Sequence, residues 1–270
     1  MINDKVNTLK LASYNLRNLF DNIDDPLKND GPPKKESEIA GIGDIIRRSN
    51  ADIVALQEVE NIQILTKLLE TAGLKDKYNV IVGKSDERGI ATALLVSKKF
   101  KIKNYTINEN NEVFKRPPVE ALIEIMPGFQ VKVFTVHLKS KRGGVEADKQ
   151  RYKEVENLIQ KTKNTDTPTI IMGDFNDLPD SITIKTLESN GFTDVRNLDK
   201  MSRETKYPTY YGKYKSVLDY IFVSKHFNES VVQRSFNVVG RYEYPNVHKF
   251  SDHRMIEIQL NLEKVIRNAL

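Results

Sequence analysis

Hydrophobic residues recur along this chain with two periods, and each period predicts a different kind of element. Alternation of apolar and polar residues predicts strands, and short apolar runs predict strands that are buried on both faces. The clearest buried run is Ile170 to Met172, which stops at Gly173. These patterns predict strands over residues 9–15, 52–56, 78–82, 91–96, 170–172, 218–223, 231–239 and 255–262, and a hairpin over residues 119–136.

Apolar residues spaced three or four positions apart predict the helices. Ile39, Ile42 and Ile46 follow Ser37, a residue type that favours the N-cap, and they predict a helix that ends near Arg48. Two glycines inside this segment lower its helix propensity. The same spacing predicts helices over residues 62–72, 145–163 and 181–189.

The order of these elements predicts one α/β domain that spans residues 1–270. Hairpins are mixed with helical crossovers, so the strands do not fit one simple parallel sheet. Two sheets packed on each other, with helices outside them, fit this order. The sequence contains no internal repeat, low-complexity tract or linker that would divide it.

The composition changes this picture only slightly. The net charge of +5, from 42 basic and 37 acidic residues, permits a polyanionic partner without requiring one. The absence of cysteine excludes disulfides and cysteine-based metal sites. No apolar run approaches the roughly 20 residues that span a membrane, so we expect no membrane insertion. The first residues lack a signal-peptide pattern, which leaves two expectations: cytoplasmic as the sequence stands, or secreted if a leader has been removed.

The candidate chemistry lies at the ends of the predicted strands. Residues two apart in an extended chain point to the same side, so Asp174 and Asn176 are delivered together just after Gly173. Strand ends of packed sheets converge on one rim. Carboxylate and carboxamide oxygens are hard ligands that suit Mg²⁺ or Mn²⁺, and histidines beside them can act as acids or bases. The polar residues in such positions are Asn15, Glu58, His137, Asp174, Asn176, Asp219, Asp252 and His253.

Each of these residues alone has an ordinary structural explanation. Asn15 is typical of a turn, Glu58 precedes a predicted helix, and His137 fits a half-buried position at a strand end. Asp174 and Asn176 fit an Asx-type turn. Their joint occurrence at so many strand ends favours a shared functional site.

Six short segments resemble, in order, the motifs of the endonuclease/exonuclease/phosphatase superfamily, and together they cover nearly the whole chain. The resemblance implies a four-layer αββα sandwich of two mixed, largely antiparallel sheets with helices outside. It also implies hydrolysis of phosphate esters that depends on Mg²⁺, which Mn²⁺ could replace. The segments are Ser13-Tyr14-Asn15-Leu16-Arg17, Leu56-Gln57-Glu58-Val59, Val136-His137-Leu138-Lys139-Ser140, Gly173-Asp174-Phe175-Asn176, Leu218-Asp219-Tyr220-Ile221 and Ser251-Asp252-His253.

Within that superfamily the chain is most similar to the pancreatic-deoxyribonuclease branch and related bacterial nucleases, and this similarity implies a role for each motif residue. Arg17 and Arg116 would contact substrate phosphate, and Glu87 would orient the first catalytic histidine. The implied metal ligands are Asn15, Glu58 and Asp252, and the implied catalytic residues are His137, Asp174, Asn176, Asp219 and His253.

The implied activity is a Mg²⁺-dependent phosphodiester hydrolase, and our leading hypothesis is a DNA endonuclease of low sequence specificity. Two alternatives stay open: an enzyme for lipid or small-molecule phosphates, and a non-catalytic binding module. All motif residues are present, which disfavours the binding module. Glu60 disfavours the duplex docking of the pancreatic branch, because that branch places a groove-reading arginine there. The absence of tryptophan disfavours abasic-site endonucleases.

Two basic segments favour a nucleic-acid substrate, with DNA expected and no protein partner implied. Residues 139–144 follow His137, begin with Lys139, and are flexible enough to wrap phosphate. Residues 206–215 interleave four tyrosines with three lysines just before Asp219, and such a segment suits unstacked bases. The alternative for this segment is an ordinary tyrosine-rich strand with a solvated lysine edge. His226 matches no motif and is expected on the surface.

Overall fold

The computed structural model describes residues 8–107, 112–163, 165–240 and 247–269. The first residues, on which the expectation about a signal peptide rests, lie outside these ranges. The α-helices are α1 Glu36–Ser49, α2 Ile62–Thr71, α3 Gly144–Thr162, α4 Ile182–Ser189, α5 Val195–Leu198 and α6 Leu262–Ala269. The strands are β1 Thr8–Leu19, β2 Ile53–Val59, β3 Tyr78–Val82, β4 Ala91–Ser97, β5 Lys101–Thr106, β6 Val119–Met126, β7 Phe129–His137, β8 Thr169–Asp174, β9 Phe192–Asp194, β10 Tyr210–Tyr211, β11 Lys215–Ser216, β12 Asp219–Ser224, β13 Asn237–Val238 and β14 Ile256–Asn261.

Two six-stranded sheets carry the fold. The first has the order β13-β14-β1-β2-β4-β3, and the second has the order β5-β6-β7-β8-β12-β9. Strand β1 runs parallel to β2 and β7 runs parallel to β8, and the other pairs among the described strands are antiparallel. A separate two-stranded hairpin is formed by β10 and β11. The prediction of two mixed, largely antiparallel sheets is confirmed.

Three layers of apolar side chains hold the sheets and helices together. The central layer lies between the sheets and includes Leu11, Val133 and Ile170. A second layer packs α1 and α2 against the first sheet, and a third packs α3 and α4 against the second sheet. Burying one leucine or isoleucine side chain stabilises a fold by about 1.5–3 kcal/mol, so these layers supply most of the driving force. The predicted four-layer αββα sandwich is confirmed.

The inner faces of both sheets change from apolar to polar at one end. On β8, Ile170 and Met172 face the opposite sheet and Ile171 packs against the outer helices, so Asp174 continues the inner face. On β7, Val133 also lies in the central layer. His137 is four residues further along the strand, an even number, so it lies on the same inner face. The alternation that builds the core therefore also delivers polar side chains to one end of the cleft between the sheets.

Two sequence predictions about local structure are wrong. The predicted strand over residues 231–239 is reduced to β13 and one isolated bridge from Val231, because Arg234 has a φ of 66° and interrupts the extended backbone. The N-cap of α1 is Lys35 and not Ser37. There Glu38 accepts a hydrogen bond from the Lys35 backbone N–H at 3.0 Å, which satisfies a helix-end donor without a serine.

Four elements of the sandwich were not predicted: β5, α6 and the short β9 and α5. Most of β5 is exposed and it carries lysines along a sheet edge, so its sequence lacks the alternation of a half-buried strand. Helix α6 buries only Leu262 and Val265, too few positions to show a helical period. No helix in the described ranges is both long and apolar enough to cross a bilayer.

Candidate active site

The polar ends of five strands and the loop before β14 meet at one end of the cleft. Asn15 Nδ2 donates to Asp174 Oδ2 at 3.1 Å, which joins the two sheets. His137 Nε2 lies 3.5 Å from the same carboxylate oxygen, and His253 Nε2 lies 3.7 Å from it. The structure therefore brings these four predicted residues together, with Asp174 at their centre.

Glu58 reaches this group because β2 is irregular at its end. Regular alternation would place Glu58 on the same face as Leu56, which packs against the outer helices. A register shift beside Glu58 and its φ of 61° turn the side chain inward instead. Its Oε1 then lies 3.5 Å from Asn15 Nδ2 and 3.9 Å from His137 Nε2.

Backbone strain is concentrated at this site. Six non-glycine residues of the described chain have a positive φ, and four of them belong to or border the site: Arg17, Asn18, Glu58 and Asn176. Such conformations cost of order 1–3 kcal/mol each and persist where other contacts hold them. Here the Asn18 N–H donates to Glu58 Oε2 at 2.9 Å, and the Arg17 N–H donates to Asn15 Oδ1 at 2.9 Å. The strain is thus held by the same polar side chains that form the site.

Gly173 sets the spacing between two site residues. In the parallel ladder Val136 pairs with Gly173, and the next rung pairs His137 with Asp174. A Cβ at position 173 would lie 1.9 Å from Val136 O, and the φ of Gly173 is 153°. Only glycine fits this position, so the close approach of β7 and β8 depends on it.

The second histidine is held by a buried carboxylate. His253 Nδ1 lies 2.8 Å from Asp219 Oδ2, and the His253 N–H donates to Ser251 Oγ at 3.0 Å. Ser251 Oγ donates in turn to Asn15 O at 2.7 Å, which ties this loop to the end of β1. The other Asp219 oxygen, Oδ1, is buried and has no hydrogen-bond partner among the described residues.

Three buried groups of the site have shifted pKa values. Burial raises the pKa of Asp174 to about 7; the charge of His253 opposes this rise and that of Asp219 reinforces it. Burial alone would lower the pKa of His253, but the charges of Asp219, Asp174 and Asp252 and the hydrogen bond to Asp219 together outweigh it and raise that pKa to about 10. Burial lowers the pKa of His137 well below its usual value, and the charge of Arg116 lowers it further. At neutral pH the site therefore holds a protonated His253, a neutral His137 and an Asp174 near its titration midpoint.

Charged residues border the site at its rim. The Arg17 side chain is 55% exposed, and its Nε lies 3.9 Å from Asp252 Oδ1. Arg88, which no motif predicted, donates from Nη2 to Asn18 Oδ1 at 2.9 Å and adds positive charge near His137. Asp252 thus lies at the outer edge of the site, beside Arg17.

Lys34 is a second residue that the sequence did not predict. Its Nζ donates to Leu16 O at 2.9 Å and to Arg17 O at 2.7 Å, at the irregular end of β1. Burial lowers its pKa to about 8. The lysine therefore supports the strained backbone beneath Arg17, and nothing in the polar loop that carries it indicated this contact.

Arg116 is buried beside His137. It is 6% exposed, and its guanidinium donates to Asp86 Oδ2 at 3.0 Å, to His137 O at 3.1 Å and to Leu138 O at 2.8 Å. All three guanidinium nitrogens are used inside the protein. Arg116 therefore supports the backbone at His137, and its contact with substrate phosphate stays a prediction.

Glu87 does not orient His137. Its side chain is 74% exposed and lies 3.0 Å from Lys115 Nζ. The buried carboxylate of this loop is the preceding residue, Asp86, which pairs with Arg116 instead. The ring nitrogen Nδ1 of His137 has no hydrogen-bond partner among the described residues.

The turn after Asp174 is held by helix α3. The Asn176 N–H donates to Asp174 Oδ1 at 2.8 Å, and Asn176 Nδ2 donates to Leu138 O at 3.1 Å. Arg151 of α3 is fully buried; it donates from Nε to Asp177 Oδ2 at 3.0 Å and from Nη1 to Lys139 O at 3.0 Å. Helix α3 therefore fixes the backbone at Lys139 through the Arg151 side chain.

His226, which we expected on the surface, is buried at the far end of β12 from Asp219. Its Nδ1 lies 3.1 Å from Ser224 Oγ, and its Nε2 lies 3.3 Å from Asp166 Oδ1. These contacts join loops at the opposite end of the second sheet, so His226 takes no part in the site.

The donor set fits a divalent cation. Candidate ligand atoms of Asp174, Asp219 and His253 all lie within 4.8 Å of one another, and while His253 is protonated the two carboxylates are the available ligands. The unpartnered Asp219 Oδ1 is a buried oxygen that a cation would satisfy. Glu58 and Asn15 add hard oxygen donors on the other side of Asp174, and oxygen donors are what Mg²⁺ prefers. This group lies deeper than Asp252, which the sequence placed among the ligands.

The chain matches the Endonuclease/Exonuclease/phosphatase family over residues 12–253, and it belongs to that family. Members of the family are metal-dependent hydrolases of phosphoester bonds. The protein is therefore an enzyme of this class, and it contains a buried cluster of acidic residues and a histidine.

Solved structures share the fold. An endonuclease/exonuclease/phosphatase family protein from Bacteroides thetaiotaomicron is 19% identical with a TM-score of 0.68, over 94% of this chain and 97% of that chain. A mannosyl-6-phosphatase from the same species is 19% identical with a TM-score of 0.67, over 93% and 98%. The human Nocturnin catalytic domain with bound sulfate anion is 23% identical with a TM-score of 0.65, over 93% of each chain. No curated protein matches the sequence.

Proposed function

We propose that this enzyme is a Mg²⁺-dependent phosphodiesterase that cuts nucleic acid, and specifically a DNA endonuclease of low sequence specificity. The observation that carries the proposal is the pair of exposed arginines that border the buried acidic site. Arg17 lies on the side of Asp252, and Arg88 lies on the side of His137. Two cations that border one site suit a chain of phosphates that runs across it.

Glu58 and Asn15 would hold the Mg²⁺ ion beside Asp174, with Asp219 as a further oxygen donor. When bound, the ion supplies positive charge where negative charge builds on the phosphate in the transition state. The bulge supports this assignment because it turns the Glu58 side chain inward. That conformation is strained, and the surrounding contacts hold it. Asp252 would act at the rim and not as a deep ligand.

Asp174 would orient the attacking water and accept its proton. Its Oδ1 is fixed by the Asn176 N–H at 2.8 Å, which aims the carboxylate. A pKa raised by burial to about 7 suits a general base at neutral pH. The water oxygen forms the new bond to phosphorus, and the bond from phosphorus to the leaving oxygen breaks.

The two histidines would take different roles because their charges differ. His253, protonated and held by Asp219, is the available acid and would supply the proton that the leaving oxygen takes. His137 is neutral and would donate a hydrogen bond to a phosphate oxygen from the other side. The carboxylate of Asp219 fixes which His253 nitrogen faces the substrate.

Hydrolysis of a small sugar phosphate is the second candidate, and one observation favours it. Glu60, at the end of β2, accepts from the Asp21 N–H at 2.6 Å, and Asp30 is also a neighbour. An acidic group so close to Glu58 disfavours a polyanionic backbone on that side. A small phosphate monoester would not extend that far, and one protein with this fold is a mannosyl-6-phosphatase.

A nicking assay on supercoiled plasmid, with Mg²⁺ and with EDTA, tests the proposal. It is run beside assays on mannose 6-phosphate, sphingomyelin and a phosphoinositide. We expect nicking that requires the metal and no comparable release of phosphate from the small substrates. Rapid hydrolysis of the sugar phosphate with an intact plasmid would favour the second candidate instead.

Histidine variants link the activity to the site. His253→Ala should lower turnover at least ~10²-fold, the scale of a lost general acid. His248→Ala is the matched control, because His248 is an exposed histidine in the short helical turn Val247–Lys249. Near-wild-type turnover by a folded His253→Ala protein would contradict the assignment.

A further inference from the structure

The hairpin of β10 and β11 is attached directly to the catalytic loop. Tyr210 forms an isolated bridge with His253, and their rings lie 5.0 Å apart. The Tyr211 N–H donates to Asp252 O at 2.7 Å, and the Arg254 N–H donates to Thr209 O at 2.7 Å. These contacts tie the hairpin to the loop that carries His253.

The first two tyrosines of the hairpin are used inside the protein. Tyr210 lies across the hairpin with its hydroxyl end against Gly212, where an added Cβ would meet Tyr210 Oη at 1.8 Å. The Tyr211 ring carries the Arg254 guanidinium at 4.6 Å and Lys215 Nζ at 5.7 Å. These rings rigidify the hairpin and are not open surfaces for a ligand.

Tyr214, at the tip, is different. It is 70% exposed, and Lys213 Nζ lies 5.3 Å from its ring. Within the described residues neither Lys213 nor Lys215 forms an ion pair with a carboxylate. The tip therefore presents an exposed aromatic side chain beside two cations that no carboxylate of the described residues neutralises, on a hairpin attached at His253.

The tip lies close to the reacting centre. Strand residues advance about 3.3 Å each and Tyr214 follows Tyr210 by four residues, so its backbone lies at most about 13 Å from that of Tyr210, which bridges to His253. A nucleotide near the scissile phosphate can reach that distance. Paired bases are stacked on each other and cannot offer a face to Tyr214 unless the duplex is opened.

We infer that this tip is a base-binding subsite, in which Tyr214 stacks on an unpaired nucleobase near the scissile phosphate and Lys213 and Lys215 contact flanking phosphates. The inference rests on the proposed function and narrows its substrate to single-stranded or locally opened nucleic acid. Stacking on an aromatic side chain tolerates any base, which agrees with low sequence specificity. A nucleic-acid strand bound at the hairpin would also lie away from Glu60, because the hairpin lies on the side of His253.

The test compares two single-stranded oligonucleotides of equal length with Mg²⁺. One carries ordinary bases, and the other has the same backbone with tetrahydrofuran residues in place of the nucleosides near the cut. The wild-type enzyme should favour the ordinary strand by roughly 5- to 100-fold in kcat/KM, the scale of one lost stacking contact. Tyr214→Ala should reduce this preference towards one through a higher KM, and Tyr214→Phe should retain it.

Tyr152→Ala is the matched control, because Tyr152 is a partly exposed tyrosine on α3 at the outer layer, and it should keep the wild-type preference. Equal cleavage of both strands by the wild type, or an unchanged preference in Tyr214→Ala, would overturn the subsite and leave the nuclease proposal standing. Failure of the wild type to cut either oligonucleotide would also overturn the subsite, and failure to nick the plasmid as well would overturn the nuclease proposal.

Discussion

Replacing Gly173 with alanine tests how the ladder of β7 and β8 positions the site. The added Cβ would lie 1.9 Å from Val136 O and 2.9 Å from Val136 Cγ2. Ordinary contact begins near 3.4 Å, and 3.4 Å minus 1.9 Å means that the two strands must separate by about 1.5 Å at this rung. The next rung carries His137 and Asp174, so both site residues would be displaced with it.

The expected loss of stability has three contributions. Overpacking a tight contact costs ~1–3 kcal/mol, and a non-glycine residue at a φ of 153° costs about 1–3 kcal/mol more. A weakened ladder hydrogen bond adds roughly 1 kcal/mol. Together these predict a loss of roughly 3–7 kcal/mol in the free energy of unfolding, a large part of the ~5–15 kcal/mol of a typical domain.

Urea unfolding followed by circular dichroism measures this loss, and plasmid nicking measures the effect on the site. Gly128→Ala is the matched control, because Gly128 has a φ of 77° but no atom within 4 Å of an added Cβ. That control should lose only the roughly 1–2 kcal/mol of a left-handed alanine. Turnover per folded Gly173→Ala molecule should fall about 10²-fold, the effect of a 1 Å misplacement. A Gly173→Ala protein as stable and as active as Gly128→Ala would refute this reasoning.

Three further predictions concern the contacts around the site. Arg151→Met leaves Asp177 without its buried guanidinium and should cost ~3–5 kcal/mol in urea unfolding; a loss below about 1 kcal/mol would contradict the role of this pair. Burial raises the pKa of Glu154 above its ordinary 4.5, so stability should fall as pH rises from 4.5. Glu154→Gln should flatten that fall while keeping an acceptor for the Lys139 N–H, and a wild-type pH slope in the variant would rule this out. Asp219→Asn should lower the pKa of His253 in an NMR titration and reduce turnover by ~10²–10⁴-fold, and an unshifted pKa would show that another group holds the proton.

Much of the fold and half of the site could be predicted from alternation alone. His137 and Asp174 follow buried inner-face residues by an even number of positions, so the rule that builds the core also aims them into the cleft. Glu58 breaks that rule. Alternation along β2 would point the Glu58 side chain to the outer face. The bulge at Glu58, where φ is 61°, turns the side chain inward, and no sequence pattern predicts that bulge.

The supporting contacts could not be predicted because their partners are far apart in the chain. Arg88 meets Asn18 across a separation of 70 residues, and no local pattern joins them. Arg116 stands in a loop that resembles a phosphate-binding one, yet the buried Asp86 draws it inward. A motif predicts which residue types lie in a loop, whereas burial and the nearest charge decide where a long side chain goes.

The most direct test of the central claim is the turnover of Asp174→Asn on plasmid with saturating Mg²⁺. Asparagine has nearly the same shape and can still accept from the Asn176 N–H, so the fold should be retained, but it cannot take a proton from water. We expect at least a ~10²-fold loss of turnover at an unchanged unfolding midpoint in urea. Turnover within a few-fold of wild type would show that phosphodiester hydrolysis does not depend on this carboxylate.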